Sequence, residues 1–140
     1  MIDETDKKIL KILQEKGRTP FLEISKQLRI AESTVRKRVR DMENSGTIKK
    51  YAAVIDSVSL GKVAFVGVDV KSEHFLDVAK KLASYEQVKF VATCTGDHTI
   101  MAKIEIEDTQ KLRTFLSEKV EAMPGVTRIC PAIVTDTVKC

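Results

Sequence analysis

Apolar residues recur at helical spacing in the first 50 residues of the chain. A stripe that includes Ile9 and Leu13 predicts a first helix, which begins near Asp3 or Asp6 and ends at Lys16. An acidic side chain at the start of a helix is favourable because the aligned peptide dipoles make that end positive. We therefore expect an amphipathic helix with one buried face.

Two further helices are predicted, with a short turn between them. Thr19 and Pro20 are typical of the N-cap and the first position of a second helix. A third helix is predicted over Glu32 to Asn44, and Gly46 follows its end. Short helices joined by a turn of about three residues are typical of a helix-turn-helix, which we place at about residues 20–45.

From residue 51 the apolar pattern changes to a mixture of alternating and helical spacing. It predicts a strand at 51–55 and a connector to Gly61. The elements then follow as strands at 63–70, 88–94, 100–106 and 126–134, and helices at 75–83 and 112–120. Gly96 and Asp97 form a hairpin signal between two of the strands. The order βαββαβ is ferredoxin-like, so the predicted fold class is α+β.

Both faces of the predicted sheet carry apolar residues. On the strand at 88–94 we place Val88, Phe90, Ala92 and Cys94 on the face that the helices cover. The other face then carries Val63, Phe65, Val91 and Met101 mixed with Lys89, Thr93 and Lys103. This mixture predicts a partner sheet across a partly wet interface, and hence a homodimer. Pro131 has no N–H to donate, so we expect an edge or bulged final strand.

The excess positive charge belongs to the first third of the chain. Residues 1–50 carry 13 Lys and Arg against 8 Asp and Glu, whereas residues 51–140 carry 11 against 12. A basic segment joined to a near-neutral one suits a polyanion at one end, although a solvated surface explains charge alone equally well. We divide the chain into a DNA-binding domain at 1–50, a linker strand and connector at 51–61, and a ligand-sensing and dimerisation domain at 62–140.

The third helix carries the candidate DNA-binding residues. At 100° per residue, Val35, Val39 and Met42 form its buried stripe. A helix with short hydroxyl residues in its first turn and long cations after them can lie in the major groove. The residues on its outward side are Ser33, Thr34, Arg36, Lys37 and Arg40. The alternative is an ordinary exposed helix whose cations are balanced by nearby acids.

The sequence offers little support for catalysis or for a metal. Neither His74 nor His98 stands in a motif with a nucleophile, and no P-loop, GxGxxG or HExxH is present. Cys94, Cys130 and Cys140 form no CxxC pair, so buried free thiols are favoured over a metal site. We predict no enzyme activity, no cofactor and no bound metal.

No apolar run approaches the roughly 20 residues that span a bilayer. The first residues, Met1-Ile2-Asp3-Glu4, are acidic where a signal peptide is basic. We therefore expect a cytoplasmic protein with no membrane partner.

The chain resembles the Lrp/AsnC (leucine-responsive, or feast/famine) transcription regulators over nearly its whole length, and it is most similar to their archaeal LrpA branch. The matching residues are Asp3, Asp6, Arg18-Thr19-Pro20, Glu32-Ser33-Thr34-Val35-Arg36-Lys37-Arg38-Val39, Gly46-Thr47-Ile48, Tyr51, Leu60-Gly61, Gly96-Asp97-His98 and Pro124-Gly125-Val126. The resemblance implies a helix-turn-helix, a ligand-binding domain of the RAM type, dimers that associate into octamers, and regulation by amino acids.

Three positions depart from the pattern of the family. Arg29 and Ala31 stand where Gly and Ser are usual, so the turn loses its easiest left-handed residue and the third helix loses a hydroxyl cap. Thr99 stands where many members that respond to amino acids carry aspartate. We expect the effector at Gly96, Asp97, His98 and Thr99, with low affinity for simple aliphatic amino acids.

The resulting prediction is a sequence-specific transcription regulator, either repressor or activator. The expected partners are double-stranded DNA, further copies of the chain, an amino-acid effector and the basal transcription machinery. One alternative is a small-molecule sensor or regulatory subunit whose helices contact proteins. Another is a metal-responsive regulator that uses Cys94, His98 and Cys130.

Overall fold

The structure is a computed structural model that describes all residues from Met1 to Cys140. The chain divides into two compact units, Met1–Val54 and Ile55–Cys140. None of the helices combines the length and the apolar character needed to cross a membrane. Each unit has a hydrophobic core of its own, and we describe the two separately.

The first unit consists of three helices, as predicted. They are α1 (Glu4–Glu15), α2 (Phe21–Leu28) and α3 (Glu32–Asn44). Their core residues are no more than 2% exposed and are Ile9, Ile24, Val35, Val39 and Met42. The predicted buried stripe of α3 is therefore confirmed, and α2 and α3 form the helix-turn-helix.

Thr19 does not cap α2 as the sequence predicted. The helix begins at Phe21 with Pro20 as its N-cap, and no side chain caps it. The Thr19 hydroxyl donates instead to the carbonyl oxygen of Lys16 at 2.7 Å. The Thr19 N–H donates to the same oxygen at 3.0 Å, so Thr19 closes the turn that follows α1.

The strand predicted at residues 51–55 is absent, so this prediction is wrong. The segment has no regular secondary structure, because a strand needs a neighbouring strand for its backbone hydrogen bonds and none in the chain pairs with it. Tyr51 donates its hydroxyl hydrogen to Glu43 at 2.9 Å. The predicted connector contains the short helix α4 (Ser57–Leu60).

The second unit has the predicted βαββαβ order. After α4 its elements are β1 (Lys62–Val70), a 3₁₀ turn (Ser72–His74), α5 (Phe75–Ala83), β2 (Val88–Thr93), β3 (Ile100–Ile106), α6 (Thr109–Phe115) with a π-helical continuation (Leu116–Glu121), and β4 (Val126–Ile133). The antiparallel sheet has the order β2-β3-β1-β4. The α+β, ferredoxin-like prediction is confirmed, and β4 with its Pro131 lies at an edge as expected.

The core of the second unit lies between the sheet and its helices. Val66, Val68 and Ile104 from the strands are fully buried, as are Leu82 from α5 and Val120 from the continuation of α6. We call the other side of the sheet the outer face. Phe65 and Phe90 lie there, opposite Lys103, and are 45% and 55% exposed.

The predicted faces of β2 are wrong after its first residue. Val88 pairs with Ile104, but Phe90 already pairs with Lys103, so Lys89 is an extra residue in the ladder. A bulge of this kind shifts the alternation of side chains by one position. Val91 therefore packs on the core, and Phe90 belongs to the outer face.

The same shift reverses the remaining assignments on β2. Thr93 pairs with the buried Ile100, on the core side of the ladder. Ala92 pairs with Met101, which belongs to the outer face as predicted. The apolar character predicted for the outer face is thus retained, although partly with different residues.

Candidate nucleic-acid and ligand interfaces

The predicted DNA-binding residues lie on the exposed side of α3. Val35 and Val39 anchor the opposite side in the core of the first unit. A nucleic acid can therefore reach the outward side chains without any rearrangement of the core. The five exposed residues are Ser33, Thr34, Arg36, Lys37 and Arg40.

The cations on this surface differ in their partners. Arg36 binds Glu32 at 2.7 Å, and its guanidinium lies 5.2 Å from the centre of the Phe21 ring. Lys37 binds Asp41 at 2.7 Å. Arg40 makes neither a salt bridge nor a side-chain hydrogen bond, so its charge faces solvent without a protein partner.

Arg38 has a different environment, although it lies within the same basic run. One of its terminal guanidinium nitrogens is 2.7 Å from Asp3 Oδ2 and 2.9 Å from Asp6 Oδ1. The backbone N–H of Asp6 and the Arg38 guanidinium both lower the pKa of the Asp3 carboxyl. Arg38 is therefore held by α1, and its side chain is only 31% exposed.

The turn of the helix-turn-helix contains the two predicted departures. Arg29 adopts the left-handed conformation, with φ 54° and ψ 45°. This conformation costs a residue with a Cβ roughly 1–2 kcal/mol, whereas glycine adopts it freely. Ala31 is the N-cap of α3 and provides no side-chain hydrogen bond. The motif thus forms despite a strained residue and an unfilled cap.

The predicted effector turn is closed by the backbone. The Cys94 N–H donates to the Thr99 carbonyl at 2.9 Å, and Gly96 has a φ of +116°. The Thr99 hydroxyl accepts a long hydrogen bond of 3.4 Å from the Val70 N–H. Asp97 is exposed and makes no hydrogen bond or salt bridge through its carboxylate. Of the side chains in this turn, Asp97 is the one most available to a ligand.

His98 reaches back across the sheet from the same turn. Its ring lies against Gly67 of β1 and occupies the space that a Cβ at that position would need. Its Nδ1 lies 3.1 Å from Asp69 Oδ1, while Arg128 Nε donates to Asp69 Oδ2 at 2.7 Å. The pKa of the Asp69 carboxyl is lowered most by the Arg128 guanidinium and to a smaller extent by His98. Asp69, His98 and Arg128 form a polar group that we call the Asp69 cluster.

The residues of the metal-responsive alternative do not form a metal site. Cys94 and Cys130 are half-buried free thiols, and Cys140 is exposed. The Cys94 thiol lies 3.8 Å from the Ala92 carbonyl oxygen. His98 pairs with Asp69, and no group of three or more His, Cys, Asp or Glu side chains could hold a metal ion.

Comparison with known families assigns both halves of the chain. Residues 2–49 match a model described as winged helix-turn-helix DNA-binding. Residues 63–140 match the Lrp/AsnC ligand binding domain. The HTH-type transcriptional regulator LrpA of Pyrococcus horikoshii is 44% identical over 99% of this chain and all of its own length. The chain belongs to the Lrp/AsnC family. It is a helix-turn-helix transcriptional regulator with a ligand-binding domain.

Solved structures agree with the fold of this Lrp/AsnC regulator. Escherichia coli AsnC matches with a TM-score of 0.78 and 25% identity, over 100% of this chain and 96% of AsnC. A Neisseria meningitidis transcriptional regulator, solved as a complex with L-Met, matches with a TM-score of 0.81 and 26% identity, over 100% and 94% of the two chains. The family pattern of a helix-turn-helix followed by a four-stranded sheet thus covers the whole molecule.

Sequence reasoning missed two members of the Asp69 cluster in this Lrp/AsnC regulator. Asp69 and Arg128 lie on different strands, 59 positions apart, and only the pairing of β1 with β4 brings them together. Gly67 was the available signal, because a glycine inside an apolar strand often marks the close approach of another group. It indicated a contact at this point of β1, but not that His98 makes it.

Proposed function

We propose that α3 lies in the major groove of duplex DNA. Ser33 and Thr34 in its first turn approach base edges, and Arg36, Lys37 and Arg40 contact bases or phosphates. The observation that carries this proposal is the exposure of all five residues opposite the buried stripe of α3. A recognition helix that enters the groove by its first turn has this distribution of hydroxyl and cationic side chains.

The existing salt bridges of α3 do not oppose this docking. Arg36–Glu32 and Lys37–Asp41 are exposed pairs one helical turn apart. Such pairs contribute about 0–1 kcal/mol, so a phosphate can replace the carboxylate at little cost. Arg40 has no partner to give up, and we expect it to be the most available phosphate or base contact.

The proposal is tested by selecting bound duplexes from a random pool and titrating one selected duplex at several salt concentrations. For Lys37→Gln we expect the slope of log K against log salt to fall by about one unit if Lys37 contacts a phosphate. If Lys37 contacts a base, we expect Lys37→Gln to lose about 1–3 kcal/mol of binding free energy. Arg113→Gln removes the same charge from the exposed surface of α6 and serves as the control. Identical titrations for the two variants would contradict the role of Lys37.

We further propose that the outer face of the sheet forms a homodimer interface. Phe65 and Phe90 flank Lys103 in one row across three strands and remain about half exposed. A second copy of the sheet would remove both rings from water. Phe65→Asp should shift the sedimentation coefficient to that of a monomer. Leu76→Asp places the same charge on α5, where the native side chain is 62% exposed, and should leave the assembly intact.

The proposed dimer also gives the regulator its symmetry. A two-fold protein presents two recognition helices to a palindromic site. We further propose that these dimers associate into octamers, as the resemblance to the family implies. In this assignment residues 1–50 bind DNA, residues 51–61 link the domains, and residues 62–140 sense ligand and dimerise. The regulator acts on the basal transcription machinery and has no catalytic role.

The effector that we propose is an amino acid held at the turn of Gly96, Asp97, His98 and Thr99. The Neisseria relative was solved with L-Met, which supports this ligand class. The exposed Asp97 carboxylate has no partner and suits an ammonium group. The Thr99 hydroxyl cannot supply the negative charge of an aspartate, so we expect low affinity for simple aliphatic amino acids.

Calorimetric titration of the 20 amino acids against the full chain tests the effector proposal. Asp97→Ala should abolish any binding that is found, and Thr99→Asp should strengthen it. Asp77→Ala removes the same charge from exposed α5 and is the matched control. Tight leucine binding that survives Asp97→Ala would show that this turn is not the ammonium site.

A further inference from the structure

Arg38 occupies the centre of the basic run of α3 but does not share the environment of its neighbours. Lys37 is 78% exposed at its side chain, and Arg40 faces solvent without a partner. The Arg38 side chain is 31% exposed and points to the start of α1. Helical periodicity already leaves Arg38 out of the outward residues, and the structure gives it two partners within the protein.

The two partners, Asp3 and Asp6, are held in place by hydrogen bonds at the start of α1. Asp3 is the N-cap of α1 and accepts from the Asp6 N–H at 2.8 Å. Asp6 returns the bond by accepting from the Asp3 N–H at 3.1 Å. This capping box fixes both carboxylates in one place, and Asp6 is only 7% exposed. The arginine therefore meets a rigid acceptor rather than two mobile side chains.

The position of this contact decides what it can control. Arg38 follows Lys37 directly on α3 and lies 35 residues from Asp3 along the chain. α3 is also attached to its unit by the apolar stripe of Val35, Val39 and Met42. Two further contacts lie elsewhere on the helix, the Arg36 guanidinium over the Phe21 ring and the hydrogen bond from Tyr51 to Glu43. Apolar contacts are not directional, whereas charge-assisted hydrogen bonds from a guanidinium have a defined geometry. The contact can thus fix the rotation of α3 about its own axis.

We infer that Arg38 is a positioning residue for DNA binding: it holds α3 in register on α1 through Asp3 and Asp6, and it makes no contact with DNA. This inference rests on the proposed docking of α3. It separates one cation of the run from the others by role. Loss of Arg38 should tilt or rotate the surface that carries Ser33 and Arg40, while the number of phosphates bound stays the same.

The acidic partners give a test in which two explanations predict opposite signs. Asp3→Ser with Asp6→Asn keeps hydroxyl and amide caps at the start of α1 but removes both negative charges. Long-range electrostatics alone predicts tighter binding of a polyanion after this change. Our inference predicts weaker binding, because Arg38 loses the carboxylates that hold it.

The experiment is a salt-dependent titration of the full-length protein with a duplex that the wild type selects from a random pool. Folding of every variant is checked by circular dichroism at the same temperature. We expect Arg38→Gln and the Asp3→Ser, Asp6→Asn double variant to raise Kd by roughly 5- to 100-fold, the range expected for residues in one network. The slope of log K against log salt should stay at the wild-type value in both. Arg38→Lys keeps the charge but loses the planar guanidinium, so its Kd should lie between the values of the wild type and Arg38→Gln.

Three results would overturn the inference. A slope reduced by about one unit in Arg38→Gln would make Arg38 a phosphate contact. An unchanged Kd with a lower melting temperature would leave it a purely structural residue. Tighter binding by the double variant would show that charge alone governs affinity. Arg40→Gln separates the docking proposal from the inference about Arg38. If Arg40→Gln titrates like the wild type, the docking of α3 is refuted as well. If Arg40→Gln binds differently, a negative result for Arg38 refutes only the inference about Arg38.

Discussion

The proposed recognition surface of α3 and the Asp69 cluster are both small groups of mainly charged residues, but they are built in opposite ways. The α3 surface comes from positions between Ser33 and Arg40 on one helix, where Arg36, Lys37 and Arg40 are turned to solvent and Arg38 is held by α1. The Asp69 cluster comes from β1, the turn after β2 and β4, and its charges are paired with each other. A site that must meet an external polyanion keeps its charges available, whereas a paired cluster uses them to hold strands and a turn together.

The strongest test of this contrast is to attack the side of α3 that faces inward. Met42 is 2% exposed, so Met42→Ala should lower the free energy of unfolding by about 2–5 kcal/mol through the cavity that it leaves. Arg40→Ala, on the exposed side of the same helix, should change it by less than about 0.5 kcal/mol. Urea unfolding followed by circular dichroism measures both. Similar losses would mean that the two faces are not distinct.

A substitution at Gly67 tests how the Asp69 cluster is packed. A Cβ there overlaps the His98 ring, so Gly67→Ala should force the ring away and cost about 1–3 kcal/mol. The double variant with His98→Ala removes the overlap. The double variant should therefore lose less free energy of unfolding, measured with urea, than the two single variants lose together. Simple additivity would show that the ring and the glycine are independent.

The turn between α2 and α3 provides a smaller effect of the opposite sign. Arg29 is left-handed, and Arg29→Gly should raise the free energy of unfolding by about 1 kcal/mol because glycine adopts this conformation without a steric cost. Arg29→Lys keeps both the charge and the strain and should change little. The thermal midpoints of the two variants give the comparison, and a destabilised glycine variant would contradict the argument.

The smallest effect that we expect is a change in how the free energy of unfolding depends on pH in the acidic range. Arg128 and His98 lower the folded pKa of Asp69, so this carboxylate stabilises the fold above its unfolded pKa of about 3.9. That contribution is lost as the pH falls through the lowered folded value. Asp69→Asn should therefore flatten the stability profile below about pH 4 relative to the wild type. Parallel profiles for Asp69→Asn and the wild type would exclude this role of Asp69.

These contrasts also explain what could be predicted from the sequence. The faces of α3 followed from helical periodicity, which depends on a single local repeat and is confirmed by the burial of Val35 and Val39. The βαββαβ order of elements along the chain followed from strand and helix patterns in the same way. In β2 the alternation failed at Lys89, because one bulged residue reverses every side chain after it.

The missing strand at 51–55 and the missed Asp69 cluster share a different cause. A strand depends on a partner strand, and the cluster depends on strand pairing between positions far apart in sequence. Local pattern carries no information on either pairing. The role of Arg38 was hidden for the same reason, since its partners lie at the beginning of the chain.

One measurement tests the proposed role of α3 most directly. Arg40→Gln and Arg128→Gln each remove one arginine charge, the first from the recognition surface and the second from the Asp69 cluster. Both proteins are titrated with the selected duplex over a range of salt concentrations. Our account predicts that Arg40→Gln weakens binding and, if Arg40 contacts a phosphate, lowers the salt slope by about one unit, while Arg128→Gln retains the wild-type affinity and slope. Unchanged binding by Arg40→Gln together with loss in Arg128→Gln would contradict the assignment of α3 as the DNA-binding surface.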